Sequence, residues 1–374
     1  MPKKAVVITT CGTSLPTNVA REDAILAERI RGSANTTEQS AAPEQRNAIA
    51  AAAEKCRGIL ARGALDEIRK ASAELNGLLG FYNNQLAGAK GDMHFLCHTD
   101  TLQGESVARV LHDYMSNNKV NVSVQSFRGL RTDTLQNFHE GLGDVIKWCH
   151  ETLPGYRKDD YHVVFNLTGG FKSIQGWMQT LGMFYADEII YIFESGKELL
   201  RIPRIPINID QAAEDAVRTH LPFFRKMAGP NGACGSAEIP DGLPETFIFR
   251  LGDVVELSPW GQLMWRQVRA QLYSEKLLNP PDPRVKYSHK FRSAADGLAP
   301  DQLEHVNERI DDLANYRRDR KMNPARLDYK PLRGNPAPPS THEIDAWAQS
   351  PAWRIFLHTD GDGIILDDLG PGLH

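Results

Sequence analysis

Val163-Val164-Phe165-Asn166-Leu167-Thr168-Gly169-Gly170-Phe171-Lys172-Ser173 reads as a buried strand that breaks at a glycine pair and continues into an amphipathic helix. Residues without a Cβ let the backbone turn sharply and approach a ligand closely, and the first N–H groups of the following helix have no partner within it. Anions collect at such junctions. A P-loop would need glycine where Asn166 and Phe171 stand, so NTP hydrolysis is not expected. Taken alone, Gly169-Gly170 also reads as nothing more than a tight strand-to-helix turn.

A second loop of the same kind lies near the start of the chain. Ala5-Val6-Val7-Ile8-Thr9 is a short apolar strand, and Thr10-Cys11-Gly12-Thr13-Ser14-Leu15 follows it. In an open α/β sheet, ligands bind beyond the carboxyl ends of the strands, so two such loops can converge on one site. Strands expected at 93–97, 120–126, 161–167 and 188–193 alternate with helices at 106–115, 135–151 and 173–185. That alternation gives a parallel, doubly wound, Rossmann-like α/β domain over residues 1–209. The Ala-rich stretch 38–79 reads as a helical insertion.

With both loops identified, residues 1–209 resemble the CRISPR-associated Rossmann-fold (CARF) domains, which sense cyclic oligoadenylates. The resemblance is carried by Cys11-Gly12-Thr13-Ser14-Leu15 and, more specifically, by Asn166 through Ser173. It implies a homodimer with the ligand on its two-fold axis, and a two-fold interface presents each loop twice to a ligand that is itself symmetric. Cyclic tetra-adenylate and cyclic hexa-adenylate have that symmetry, and the tetra-adenylate is the expected activator. Gly169, Gly170 and Lys172 would hold phosphates. Thr10, Gly12, Thr13, Ser14 and Thr168 would line the ribose and base side.

Beyond Pro203 and Pro206 the alternation ends. A helix is expected at 210–227, capped by Asp210, then a hairpin at 246–257 about Gly252-Asp253, then a helix at 259–272 opened by Ser258 and Pro259. That order resembles a winged helix-turn-helix and defines a middle segment, 210–280. Asn279-Pro280-Pro281-Asp282-Pro283 is a stiff linker. The last segment, 281–374, opens with an amphipathic helix at 299–314 and continues as strands near 329–336, 344–347, 353–358 and 364–366, a small α+β domain.

Lys330-Pro331-Leu332-Arg333-Gly334, Trp353-Arg354-Ile355-Phe356 and the terminal Gly372-Leu373-His374 resemble the RelE and ParE superfamily, closest to its ribosome-dependent mRNA interferases. The resemblance implies that Arg354 contacts the scissile phosphate, that His374 does acid-base work, and that Lys330 and Arg333 flank the active site. Metal-free RNA cleavage uses the 2′-hydroxyl as nucleophile, so the enzyme must deprotonate it, offset charge on the phosphorane and protonate the departing oxygen. Guanidinium groups suit the middle task, His342 and His374 titrate near neutrality, and Asp328 is a candidate base. Arg317, Arg318, Arg320, Lys321 and Arg326 form a basic strip suited to an RNA or ribosomal backbone. Departing from the family, Asp360, Asp362, Asp367 and Asp368 make the tail acidic, which fits mRNA delivered by the ribosome.

These readings describe a cyclic oligoadenylate-activated mRNA endonuclease of type III CRISPR antiviral defence. Whether the sensor also degrades its ligand stays open. The competing reading is a ligand-responsive transcription regulator that binds DNA through 210–280. Many sensors of this kind carry a HEPN ribonuclease, but the one matching Arg-to-His spacing, Arg157 to His162, falls at a loop-to-strand junction and not on a helix. No apolar run reaches the ~20 residues of a membrane helix. The start lacks a signal-peptide pattern, so a cytoplasmic protein is expected. The five cysteines are scattered, which argues against a disulfide framework or a zinc site, and no metal or other cofactor is expected. A net charge of −4 gives no global nucleic-acid signal.

Overall fold

The computed structural model describes residues 3–170, 172–193, 198–229, 232–334, 336–348 and 351–373, with the side chain of Lys172 outside that set. The chain divides into two compact units, Met1–Asn208 and Ile209–His374.

The first unit is built on a six-stranded sheet of β1 (Ala5–Thr10), β2 (Met93–Thr99), β3 (Asn121–Phe127), β4 (His162–Asn166), β5 (Glu188–Ile192) and β6 (Leu199–Pro203), in the order β3-β2-β1-β4-β5-β6. Every residue of β1 is buried, as a central strand covered on both faces demands. The first five strands pair in parallel, while β6 runs antiparallel to β5 and closes the edge. That reversed edge strand was not expected from the sequence, which reads as purely parallel. The Rossmann-like α/β class itself holds. The strand order reverses between β1 and β4, so the loops after these two strands sit side by side at the switch point.

Helices α1 (Ser14–Val19), α2 (Ala24–Gly32), α3 (Pro43–Arg62), α4 (Leu65–Ala71), α5 (Ala73–Phe81) and α6 (Leu102–Asn117) lie between β1 and β3 in the chain. The stretch read as an insertion is part of the core. Cys56, Leu60, Ile68, Leu75 and Leu78 pack in one cluster with Val7 of β1, Val164 of β4 and Ile190 of β5. Helices α7 (Leu135–Lys158) and α8 (Lys172–Tyr185) pack against each other and against β4. On α7, Trp148 meets Phe95 of β2 and Phe127 of β3 edge-on.

The second unit begins with α9 (Gln211–Thr219) and α10 (Leu221–Met227), where the sequence reading placed one continuous helix. Pro222 has no N–H to continue the ladder, and the chain breaks at His220. A small sheet of β7 (Ala233–Gly235), β8 (Ile248–Leu251) and β9 (Val254–Leu257) follows, then α11 (Pro259–Glu275), whose Ser258 cap accepts from the Gly261 N–H. After β10 (Val285–Tyr287), α12 (His289–Ala295) and α13 (Pro300–Arg318) come β11 (Lys330–Pro331), β12 (His342–Trp347), β13 (Trp353–Asp360) and β14 (Gly363–Pro371). They form a second sheet in the order β10-β14-β13-β12-β11. Val306, Ile310 and Leu313 of α13 share a core with Ile344, Ala346, Ile355 and Leu357.

The segments 210–280 and 281–374 lie within this one unit, joined where α11 packs on α13. Asn307 of α13 is fully buried there. Its Nδ2 donates to the carbonyls of Tyr273 (2.8 Å) and Lys276 (2.9 Å), and its Oδ1 accepts from the Leu278 N–H (2.9 Å). One amide thus satisfies three backbone groups at the end of α11. Asn307→Ala is expected to destabilise this unit by about 3 kcal/mol, since each orphaned buried group costs on the order of 1 kcal/mol or more. Hydrogen exchange read by mass spectrometry checks this. Amides at the end of α11 should lose protection first, and unchanged protection there would contradict the assignment.

Candidate functional site

At the switch point of the first unit the two glycine loops touch. A Cβ on Gly12 would stand 2.7 Å from the Gly170 nitrogen, and Gly170 itself has φ +111°, so neither position admits a side chain. Thr10 Oγ1 donates to the Gly169 carbonyl at 2.6 Å, and Gln175 Nε2 donates to the same oxygen at 3.2 Å. The two loops thus meet through Thr10, Gly12, Gly169 and Gly170.

The structure corrects how these residues are used. Gly12 N–H is not left for an anion. It donates at 2.8 Å to Glu74 of α5, a carboxylate with 0% exposure. Glu74 also accepts from Ser72 Oγ (2.8 Å) and Ser14 Oγ (3.3 Å). Burial pushes its pKa upward against these donors, and its nearness helps drive the buried Cys11 thiol well up as well. Glu74 went unnoticed in the sequence. The available signal was Ser72, which caps α5 and stands two residues before it.

Asn166 and Thr168, the most specific part of the motif, face the same helix. Asn166 Nδ2 donates to the Glu74 carbonyl at 3.0 Å, and its Oδ1 accepts from the Thr168 N–H at 3.3 Å. Thr168 Oγ1 is buried without a hydrogen-bond partner among the described residues. Thr10, Gly12 and Gly169 are buried, and Thr13, Ser14, Thr168 and Gly170 are half-buried. Lys172 opens α8, with its side chain outside the described residues.

Next to these loops, β2 ends in His98-Thr99, and Asp100-Thr101 leads on to α6. His98 is buried, with Nδ1 2.7 Å from the Thr99 carbonyl, and burial lowers its pKa. An open cleft of about 900 Å³ starts at His98, Asp100 and Thr101 and runs past Glu105, Arg109 and His112 toward Ser123.

The second unit carries its own cluster. Strand register opposes Lys330 to Glu343, Asp345 to Arg354 and Glu343 to Phe356, so alternation sets Lys330, Glu343, Asp345, Arg354 and Phe356 on one face of the sheet. Ile344, Ile355 and Leu357 take the other face, against α13. Arg354 Nη1 lies 3.1 Å from Asp345 Oδ1, with both side chains under one-fifth exposed. Lys330 Nζ binds Asp328 and lies 3.7 Å from Glu343 Oε1. The Asp328 hydrogen bond raises the Lys330 pKa and keeps it cationic. Asp328 also adopts φ +48°, a conformation that short polar side chains tolerate.

Several expected site residues sit elsewhere. His342 shares the α13 face with Ile344, where its ring stacks 5.0 Å from Tyr329, which in turn lies 4.5 Å from Tyr316. Burial and the Arg320 charge lower its pKa. Arg354's face and His342's face are opposite sides of the sheet, so the two do not share a site as expected. Arg317 is held by the buried Asp282 at 2.6 Å and is withdrawn from the surface, while Arg326 remains exposed with its guanidinium bound to Asp312 at 2.8 Å. Arg320 lies over the Tyr316 ring at 4.9 Å. Arg318, Lys321 and Arg333 are exposed. His374 lies outside the described residues. Among the described residues no cluster of His, Cys, Asp or Glu could hold a metal ion, the five cysteines are free and buried, and no helix is long and apolar enough to cross a membrane.

Residues 69–205 match the model of a family described as CRISPR-associated protein (Cas_APE2256). The chain is thus similar to a CRISPR-associated protein over α5, β2 to β5 and the Asn166–Gly170 loop. The match begins just ahead of Ser72 and Glu74 and does not include the Gly12 loop.

A helical glycine on α5 tests the docking of this loop. A Cβ on Gly77 would come 2.2 Å from Asn166 Oδ1 and 2.5 Å from Thr168 Oγ1. Gly-to-Ala inside a helix normally stabilises, yet Gly77→Ala is expected to destabilise by roughly 1–3 kcal/mol through overpacking. Thermal unfolding of the full chain reads the sign. A gain in Tm would show that the loop does not rest on α5.

Proposed function

We propose that this chain is a ligand-gated endoribonuclease of CRISPR-linked defence. A cyclic oligoadenylate, with cyclic tetra-adenylate the first choice, binds the first unit in a homodimer, and the second unit then cuts mRNA on the ribosome. The observation that carries this reading is the face bearing Lys330, Glu343, Asp345 and Arg354, with two cations held in place by carboxylates on an otherwise packed sheet. The paired glycine loops and the CRISPR-associated match over 69–205 support the sensing half. Thr13, Ser14, Thr168 and Gly170, the half-buried residues of these loops, are those that a phosphate-bearing ligand would meet.

In this account an incoming phosphodiester competes with Asp345 for Arg354. Guanidinium grips phosphate through two N–H donors and remains charged throughout, so it offsets the charge that grows on the phosphorane. Lys330 adds a second positive charge to the same face. Glu343 and Asp345 hold the two cations in position before RNA arrives. The 2′-hydroxyl attacks phosphorus, the bond to the 5′-oxygen breaks, and a 2′,3′-cyclic phosphate and a 5′-hydroxyl end result. Ligand gates this activity only through differential affinity for two states of the dimer.

Cleavage of ribosome-bound mRNA, with and without cyclic tetra-adenylate, compares wild type with Arg354→Ala. Wild type should cut only with ligand, and the variant should be slower by about 100-fold or more, the scale of losing one transition-state donor. Undiminished cutting by Arg354→Ala would remove this face from the reaction. Absence of any cutting, with a shifted promoter fragment instead, would favour the transcription-regulator reading.

A further inference from the structure

A histidine that the sequence reading passed over lies on the same sheet face as Arg354. His358 stands two residues beyond Phe356 and four beyond Arg354 on β13, and register opposes it to Ile365. Alternation therefore turns it away from the α13 core, with Arg354 and Phe356. Its Nδ1 is 2.9 Å from both carboxylate oxygens of Asp367. Asp367 is 7% exposed and is itself fixed by Ser340 Oγ, which donates at 2.8 Å and is 2% exposed. Two carboxylate oxygens facing Nδ1 place the ring hydrogen there, so Nε2 carries the lone pair. The imidazole is partly exposed, and Nε2 has no hydrogen-bond partner among the described residues.

The pairing arises at a strand irregularity. Register shifts between Phe356 and Leu357, where Phe356 opposes Asp368 and Leu357 opposes Leu366, so Asp367 is the extra residue. Bulges of this kind re-aim side chains. Here the shift brings a buried carboxylate to the next strand's histidine. A carboxylate behind Nδ1–H fixes the tautomer and stabilises the imidazolium that forms when Nε2 takes a proton, the arrangement of an oriented general base.

We propose that His358 is the general base of RNA cleavage and that Asp367, held by Ser340, is its positioning residue; this rests on the ribonuclease reading above. Of the two histidines first considered, His342 lies on the opposite face and His374 lies outside the described residues. Arg354 and His358 stand on one face of β13, about 13 Å apart at ~3.3 Å per residue, with Phe356 between them. A phosphodiester seated there meets the guanidinium on one side and the imidazole on the other. The 2′-hydroxyl proton passes to Nε2 as the oxygen–phosphorus bond forms. The 5′-oxygen leaves and takes a proton from water, and the imidazolium returns its proton to the hydroxide so formed.

The test uses the full chain, cyclic tetra-adenylate and ribosome-bound mRNA. His358→Ala should slow cleavage by about 100-fold or more, the usual contribution of a general base, and lose the acid limb of the pH–rate profile. Added imidazole should restore part of the rate, and Asp367→Asn should lower the rate while keeping the chain folded. His358→Asn keeps a donor facing Asp367, and so separates folding from chemistry; it should be as slow as His358→Ala. A wild-type rate in His358→Ala, or full repair by His358→Asn without imidazole, overturns the assignment. If wild type itself cuts nothing, the ribonuclease reading falls instead.

Discussion

A buried carboxylate governs the first unit. Glu74 accepts from the Gly12 backbone and from two serine hydroxyls, while its own carbonyl receives Asn166. Helix α5 is thereby bonded to the loops after both β1 and β4. These loops come from positions 159 residues apart, as the bond from Thr10 to Gly169 measures, and they meet because the strand order reverses between them. An unpaired charge at this depth would be strongly unfavourable, so the surrounding donors and the raised pKa belong together. The underside of both loops is thereby fixed.

In the second unit the governing constraint is the two-residue period of the strand. It sends Ile344, Ile355 and Leu357 to the core and leaves Lys330, Glu343, Asp345 and Arg354 together on the far side. The charges on this face are set against one another, Arg354 beside Asp345 and Lys330 beside Asp328 and Glu343, while Arg354 Nε and Asp345 Oδ1 are buried without a hydrogen-bond partner among the described residues. Such pairing also poises the cations. In the proposed reaction a phosphate at this face would exchange one anionic partner for another, with no bare charge created.

Much of this was legible in the sequence. The run 163–173 fixed a strand, a glycine turn and a helix, and the apolar strand 5–9 with its glycine loop predicted a shared site at the sheet's carboxyl edge. Arg354 and Lys330 fall on one face of the sheet. Other features depend on tertiary contact. Glu74 lies in a Leu- and Gly-rich helix and looks like a solvent-facing residue until the fold carries it to Gly12, 62 positions away. The His358–Asp367 pair arises from a bulge that nothing in its nine-residue spacing reveals. Placement of His342 was readable from its alternation with Ile344, but its chemistry outweighed its period. Arg317 reads as part of one exposed strip because sequence proximity does not show that the buried Asp282 holds it, and Arg326, though exposed, is bound by Asp312.

The central claim is that a symmetric cyclic nucleotide seats on paired copies of these loops. Calorimetric titration of the full chain with cyclic tetra-adenylate tests it most directly. The account predicts saturation at one ring per two chains. A flat titration of well-folded protein, with cyclic hexa-adenylate equally silent, would contradict it.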